Sequence, residues 1–482
     1  MRQTGRMTTL LWLRDDLRTH DHEALTAAVA DGGDVVALWM CEEPAEADDG
    51  GRLGPRPLGA AVRWWYHRSL EDLTVRLDAL GVPLVFAAGD ARRIIPALVD
   101  RLGADTVRWS RRYAPRSRAL DAEVKSVLGA AGVQAHSHAG ALLTEPWTVT
   151  TGAGGNYRVF TPFHRAAAQI PVGTPLPVPE PVGGPSDRLR ETLAGLHDDG
   201  SLASLTDLAL LDTSPPWWAD TVAEHWTPGE SAALEDLDAI EVGVGGYAES
   251  RDVPGDREST SRLSPRLRSG EVSPRQVLAA AEAADVVDED RAAFIRQLYW
   301  RDFAWSLTYH HPDLDRTPLR PEFRLFPFTP DEDARRAWEQ GRTGIRLVDA
   351  GMRQLWETGW MHNRVRMAAA SLLVKNLLQR WQDGEAWFWD TLVDADEANN
   401  PVSWQWVAGC GADASPYFRI FNPDTQAEKF DPEGTFVTRW VPEADAPLSG
   451  YPEPIVDLKE TRGEALAALA EMKERAAAQG LR

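Results

Sequence analysis

Cysteine is nearly absent: Cys41 and Cys410 are the only two in 482 residues. Two thiols this far apart build neither a disulfide framework nor a metal cluster, so a reducing, cytoplasmic setting is expected and no metal site. Lysine is scarce too, with five, so the 51 basic residues are almost all arginine. Against 73 acidic residues they leave a formal charge of −22. That excludes a protein coating nucleic acid through its whole surface, though not one with a local basic cleft. No apolar run approaches the roughly 20 residues of a membrane helix, and MRQTGRMTTLLWLRDD lacks the long apolar stretch of a signal peptide. No membrane partner is therefore expected. The turn after the first predicted strand, RDDLRT, holds no glycine. A nicotinamide dinucleotide fingerprint needs glycine there for close approach of the pyrophosphate, so that class is excluded.

What the chain does have is tryptophan: 20, beside 8 tyrosines and 13 phenylalanines. Most of these rings are expected in cores, and the surplus points to stacking or redox work. The length suggests two to four domains. Short β-forming runs (TLLWLR, DVVALWM, VPLVFAA, DTVRWS and VQAHSHAGALL) alternate with helical patterns such as DHEALTAAVA and VRWWYHRSLEDLTVRLDAL. This alternation predicts an α/β N-terminal domain over 1–145, a parallel sheet with helices on both faces. Residues 146–216, with the Pro/Gly-rich IPVGTPLPVPEPVGGPSD, read as a surface connector. From 217 to 482 the strand pattern gives way to helical periodicity, predicting an all-α domain.

Four segments of that half place polar residues where a helical core wants apolar ones. Tyr247 is followed by TSRLS, in which Thr260, Ser261 and Ser264 flank Arg262 and Leu263. Hydroxyl and backbone donors so grouped suit phosphate, although alone the run reads as a helix cap. FIRQLYWRDF sets Gln297 and Trp300 one helical turn apart, with Arg301 beside them. TGWMHNRVRM puts Asn363, Arg364 and Met367 on a shared face. DADEANNPVSWQW, continuing through YFRIFNP to KFDP, packs carboxylates, amides and tryptophans together with almost no periodicity, which is easier to explain around a ligand than in a plain core.

Together these segments resemble the photolyase/cryptochrome flavoprotein family, whose motifs TSRLS, GWMHNRVRM, DADxAN with WQW, and YFRIFNP occur here in order. VFTPF and RDDLR match its N-terminal domain. The resemblance implies an antenna-type α/β domain and a helical domain holding bent FAD. Tyr247, Thr260, Ser261, Arg262, Leu263 and Ser264 are then similar to its phosphate and ribityl contacts. Asp394 and Asp396 resemble the pair lining the flavin, Arg366 the partner of Asp394, and Asn400 the side chain facing the flavin ring. The implied activity is light-driven repair of cyclobutane pyrimidine dimers in UV-damaged DNA, by electron transfer from excited reduced FAD. The dimer flips out of the duplex to be reached. Trp300 and Trp406 resemble the walls it packs against. Gln297, Arg301, Asn363, Arg364, Met367 and Gln426 resemble contacts to the lesion or its strand. Trp404 and Trp381 match the first two members of a tryptophan photoreduction chain.

Four positions depart from the family pattern, one of them Ser259, which replaces a usual Gly before TSRLS. Gln297 stands where cyclobutane-dimer enzymes usually carry Glu, and Phe328 where the third tryptophan usually lies, leaving Trp338, Trp387 or Trp389 as substitutes. Ala114 stands where an antenna-binding Glu often sits, so a second chromophore, folate or deazaflavin, is left open. A blue-light photoreceptor without repair is the alternative. The retained lesion-pocket residues and the lack of a long tail weigh towards repair. A monomer is expected.

Overall fold

The computed structural model describes residues 7–42, 45–46, 52–212, 216–256, 258–414, 418–445 and 450–481. The five runs predicted as strands become β1 (Thr8–Leu13), β2 (Asp34–Glu42), β5 (Leu84–Gly89), β6 (Thr106–Ser110) and β7 (Gln134–His138). They form one parallel sheet in the order β5-β2-β1-β6-β7. The two-residue strands β3 (Ala45–Glu46) and β4 (Arg52–Leu53) pair antiparallel apart from it and are too short to leave a periodic signal.

Strand alternation explains the layers. Leu11, Leu13, Val35 and Ala37 point to one face, where helices Glu23–Ala30 and Ala60–Ala79 pack. Leu10, Trp12, Val36 and Leu38 point to the other, against helices Ala91–Leu102, Pro115–Ala130 and Asp187–Asp198. The stretch expected to be a surface connector is thus more ordered than its composition suggests. Residues 171–186 are extended, but helices Phe160–Ala167 and Asp187–Asp198 flank them. The second is capped by the Ser186 hydroxyl and buries Leu189, Leu193 and Leu196 against the sheet; the first buries Phe160 and Phe163 in the helical domain.

From Pro216 onward, regular structure among the described residues is helical. Two apolar cores form there, one around Phe294, Leu298 and Phe303, the other around Val365, Ala369 and Trp404. The long helix Asp288–His310 borders the first, and helices Asn363–Ser371 and Asn399–Ala408 the second. Arg268 ties the two halves together: its guanidinium donates to Tyr66 Oη at 2.6 Å and to the Ala395 carbonyl at 2.6 Å, and pairs with Asp15 at 3.0 Å. No helix is long and apolar enough to cross a membrane among the described residues.

Candidate functional site

Between the two helical cores lies a cavity of about 610 Å³. That falls within the roughly 300–1,000 Å³ of small-molecule and cofactor sites. All four polar segments converge on it. Tyr247, Thr260, Ser261, Arg262, Leu263 and Ser264 line one side; Arg366, Asp394, Asp396, Asn400 and Trp404 line another; Gln297, Trp300, Arg301, Asn363, Arg364, Met367 and Trp406 complete it. Gln426, on helix Pro423–Phe430, and the buried Trp381 are not part of this lining.

The backbone is arranged to admit these side chains. Arg262 adopts a left-handed φ of 53°, a conformation that disfavours side chains and recurs at ligand sites. Its guanidinium lies 4.1 Å from the Trp226 ring centre and 5.1 Å from that of Trp360. A Cβ on Gly243 would come within 2.6 Å of the Ser261 Cα, so only glycine lets the TSRLS turn sit there. Asp394 accepts both arms of Arg366, at 3.0 and 2.8 Å, and the Ser264 hydroxyl at 2.7 Å. Asp396 accepts the Ala398 N–H at 2.8 Å and the Asn399 side-chain amide at 2.7 Å, fixing the start of helix Asn399–Ala408. Asn400 donates to the carboxylate of Glu385 at 2.8 Å and to its carbonyl at 3.0 Å.

The aromatic walls are backed by other rings. Trp300 stacks on Phe160 of the VFTPF segment, centroids 3.6 Å apart and planes 7° apart; Trp406 stacks on Phe421 at 6.1 Å. Gln297 spends one amide hydrogen on the Ala293 carbonyl at 2.9 Å. Phe388 and Trp338 pack edge-on against Trp404, with centroids at 5.0 and 6.1 Å. Of the tryptophans named as substitutes for Phe328, Trp338 is thus the one seen against Trp404.

Six arginines against three aspartates line the cavity, so an acidic protein carries a locally positive pocket. Not all of that charge is free for a ligand. Arg301, expected at the DNA, instead donates to the Ala141 and Leu267 carbonyls, and burial lowers its pKa. Arg364 pairs with Asp252 and covers the Phe430 ring at 4.3 Å. Sequence reasoning missed Arg251, Asp252 and His362, all of which line the cavity. His362 directly precedes NRVRM and caps its helix, accepting the Arg364 N–H at 3.2 Å. A histidine before a polar helix start was the available signal. Arg251 and Asp252 follow Tyr247 by about one helical turn.

The fold sets an α/β part before a helical part whose cavity has the volume of a cofactor site. Residues 9–181 match the family model described as DNA photolyase, and residues 294–447 match that for the FAD binding domain of DNA photolyase. The deoxyribodipyrimidine photo-lyase of Agrobacterium fabrum is 42% identical over 96% of this chain and 98% of its own length. Cryptochrome-1 of Arabidopsis thaliana is 33% identical over 96% of this chain and 70% of its own. The crystal structure of a bacterial class III photolyase from Agrobacterium tumefaciens superposes with a TM-score of 0.87 at 41% identity, covering 98% of this chain and 99% of that one. The chain belongs to the DNA photolyase family, and its helical domain is an FAD-binding domain.

Proposed function

We propose that this protein is a deoxyribodipyrimidine photo-lyase, repairing cyclobutane pyrimidine dimers in UV-damaged DNA under light. One observation carries the reading: a single cavity is bordered both by the hydroxyl- and arginine-rich TSRLS and Arg366–Asp394 groups and by the ring-backed Trp300 and Trp406. The donor set fits FAD. Thr260, Ser261 and Ser264 offer hydroxyls and Arg262 a cation to its phosphates, Tyr247 and Leu263 close that end, and Arg366, Asp394 and Asp396 hold the ring end. Bound there in reduced form, FAD would supply light-driven electron transfer to the dimer.

The chain does the rest by positioning. Trp300, held flat by Phe160, and Trp406, backed by Phe421, receive flipped bases, with stacking worth about 1–3 kcal/mol per base. Asn363 and Met367 meet the lesion from helix Asn363–Ser371, and Gln297 keeps one N–H for it. Arg364 and Gln426 lie toward the strand. Phe294 and Leu298 keep water from the inner wall. Trp404, backed by Trp338 and Trp381 in the same core, provides the oxidisable rings for replenishing the reduced state. Both halves of the cavity come from one chain, which suits a monomer, and the pair of thiols, Cys41 and Cys410, suits a reducing cytoplasm. A photoreceptor without repair has no use for the aromatic lesion walls.

A second chromophore is a separate matter. At the carboxyl ends of β1, β2 and β6, where open α/β sheets take ligands, buried Arg112 pairs with Glu42 at 2.7 Å and with Asp121, while Arg14 reaches Asp121 at 3.2 Å and covers Trp12 at 4.3 Å. These residues line that crevice, and Arg14 Nε and Nη1, Arg112 Nε, Glu42 Oε2 and Trp12 Nε1 are buried there without a hydrogen-bond partner among the described residues, so the pairs leave donors and an acceptor unspent and a second chromophore stays open. The test of function is dimer loss from a cyclobutane-dimer oligonucleotide mixed with the reduced protein. Loss in light and none in darkness is expected; no loss in light contradicts the reading.

A further inference from the structure

We propose that Arg56, in the segment before helix Ala60–Ala79 of the α/β domain, is a positioning residue for the flavin pocket, acting through Glu385 on the amide of Asn400. The proposal rests on the reading that the cavity holds FAD. Arg56 Nη1 donates to both carboxylate oxygens of Glu385, at 2.7 and 2.9 Å. The guanidinium is held in place: it lies 4.2 Å from the Trp389 ring centre, and the Trp389 indole donates to the Pro57 carbonyl at 2.9 Å. The Arg56 N–H donates to Glu397 at 3.2 Å. A Cβ on Gly59 would sit 2.0 Å from the Trp389 carbonyl oxygen, so this segment lies directly on helix Trp381–Thr391.

Glu385 is itself buried, its side chain 4% exposed. Burial raises its pKa, Arg56 opposes that rise, and Asp315, itself held by Arg116 at 2.8 Å, adds to it. Arg56 is thus the cation that favours the ionised form of this carboxyl group against burial. An ionised carboxylate only accepts hydrogen bonds. Asn400 therefore spends both amide hydrogens on Glu385, one on the carboxylate at 2.8 Å and one on the carbonyl at 3.0 Å. Its Oδ1 is left for the cavity. The opposite orientation would set that oxygen against two acceptors. A bound flavin consequently meets an acceptor at Asn400, which favours states protonated at the facing edge. Without the Arg56 cation Glu385 takes up a proton, can donate to Oδ1, and lets the amide turn over.

The readout is the pH slope of the first one-electron potential of bound flavin, which a merely structural salt bridge does not move. Wild type, Arg56→Lys, Arg56→Met and Glu385→Gln holoproteins are compared after flavin stoichiometry is measured. Because one nitrogen serves both oxygens, a lysine can copy the contact, so Arg56→Lys keeps the wild-type slope while Arg56→Met flattens it. Equal slopes in Arg56→Met and wild type overturn the proposal. Should Arg56→Met not fold, Glu385→Gln carries the same test: its amide donates to Oδ1 and the slope flattens, whereas an unchanged slope overturns the proposal. Wild type without flavin overturns the underlying reading and this one together, and shows at the first step.

Discussion

The crevice of the α/β sheet and the cavity of the helical domain are built from the same materials, arginines, aspartates and tryptophans, with opposite results. In the crevice Arg14 and Arg112 turn toward Glu42, Asp121 and the Trp12 ring, so the charges are spent largely on one another. In the cavity Arg366 and Asp394 also pair, but at the edge of about 610 Å³ of room, with Ser264, Asn400 and two ring-backed tryptophans facing the same way. Charge density alone does not mark a ligand site. Convergence of polar groups on unfilled space does.

The contrast can be broken most forcefully at Asp394. Asp394→Ala leaves Arg366 without its partner, and breaking a buried pair costs about 3–5 kcal/mol. Purified variant is expected to lose most of its flavin, read as the ratio of visible to ultraviolet absorbance; full retention would show that the pair does not hold the ring. Arg112→Met, in the crevice, strands Glu42 in the same way and leaves Asp121 to Arg14 alone. It is expected to lower the unfolding free energy by about 3 kcal/mol with flavin content unchanged. Loss of flavin there would dissolve the distinction between the two clusters.

Next in size is a pH effect. His362 Nδ1 accepts the Arg364 N–H, so Nε2 carries the proton and donates to the Arg251 carbonyl at 3.0 Å. The first bond needs a neutral ring, the second favours the protonated one, and burial outweighs it, pushing the pKa down to about 4. The unfolded chain, near 6.5, binds that proton first. The stabilisation, about 3 kcal/mol at most, is therefore complete above pH 6.5 and lost as pH falls through 4. Flavin release followed by fluorescence is expected to set in across that window, and His362→Gln to shift its onset. Trp300→Ala is expected to weaken binding of dimer-containing DNA by about 1–3 kcal/mol while sparing undamaged DNA, since stacking acts only on flipped bases. Gln297→Glu is the smallest change: a carboxyl group held neutral by its surroundings can share its proton with the electron-rich dimer. Repair per absorbed photon is expected to rise modestly with flavin content intact; a fall would mean that the added acid ionises.

Much of this was legible in the sequence, and the rest was not for identifiable reasons. The five parallel strands showed because each is a short β-forming run bounded by helical patterns, and the cavity walls showed because polar residues broke helical periodicity. Helix Phe160–Ala167 was hidden by its eight-residue length and by Pro162, and Asp187–Asp198 by the Pro/Gly run before it. Arg301 looked exposed beside Trp300, yet it serves carbonyls 34 and 160 residues away in sequence. The Arg56–Glu385 contact spans 329 residues, and no local pattern carries it.

The most direct test of the central claim is a crystal structure of the purified protein with whatever it carries. One FAD is predicted within the helical cavity, its phosphates at Thr260–Ser264 and its ring between Arg366, Asp394 and Asn400. A helical cavity holding no flavin would contradict the account.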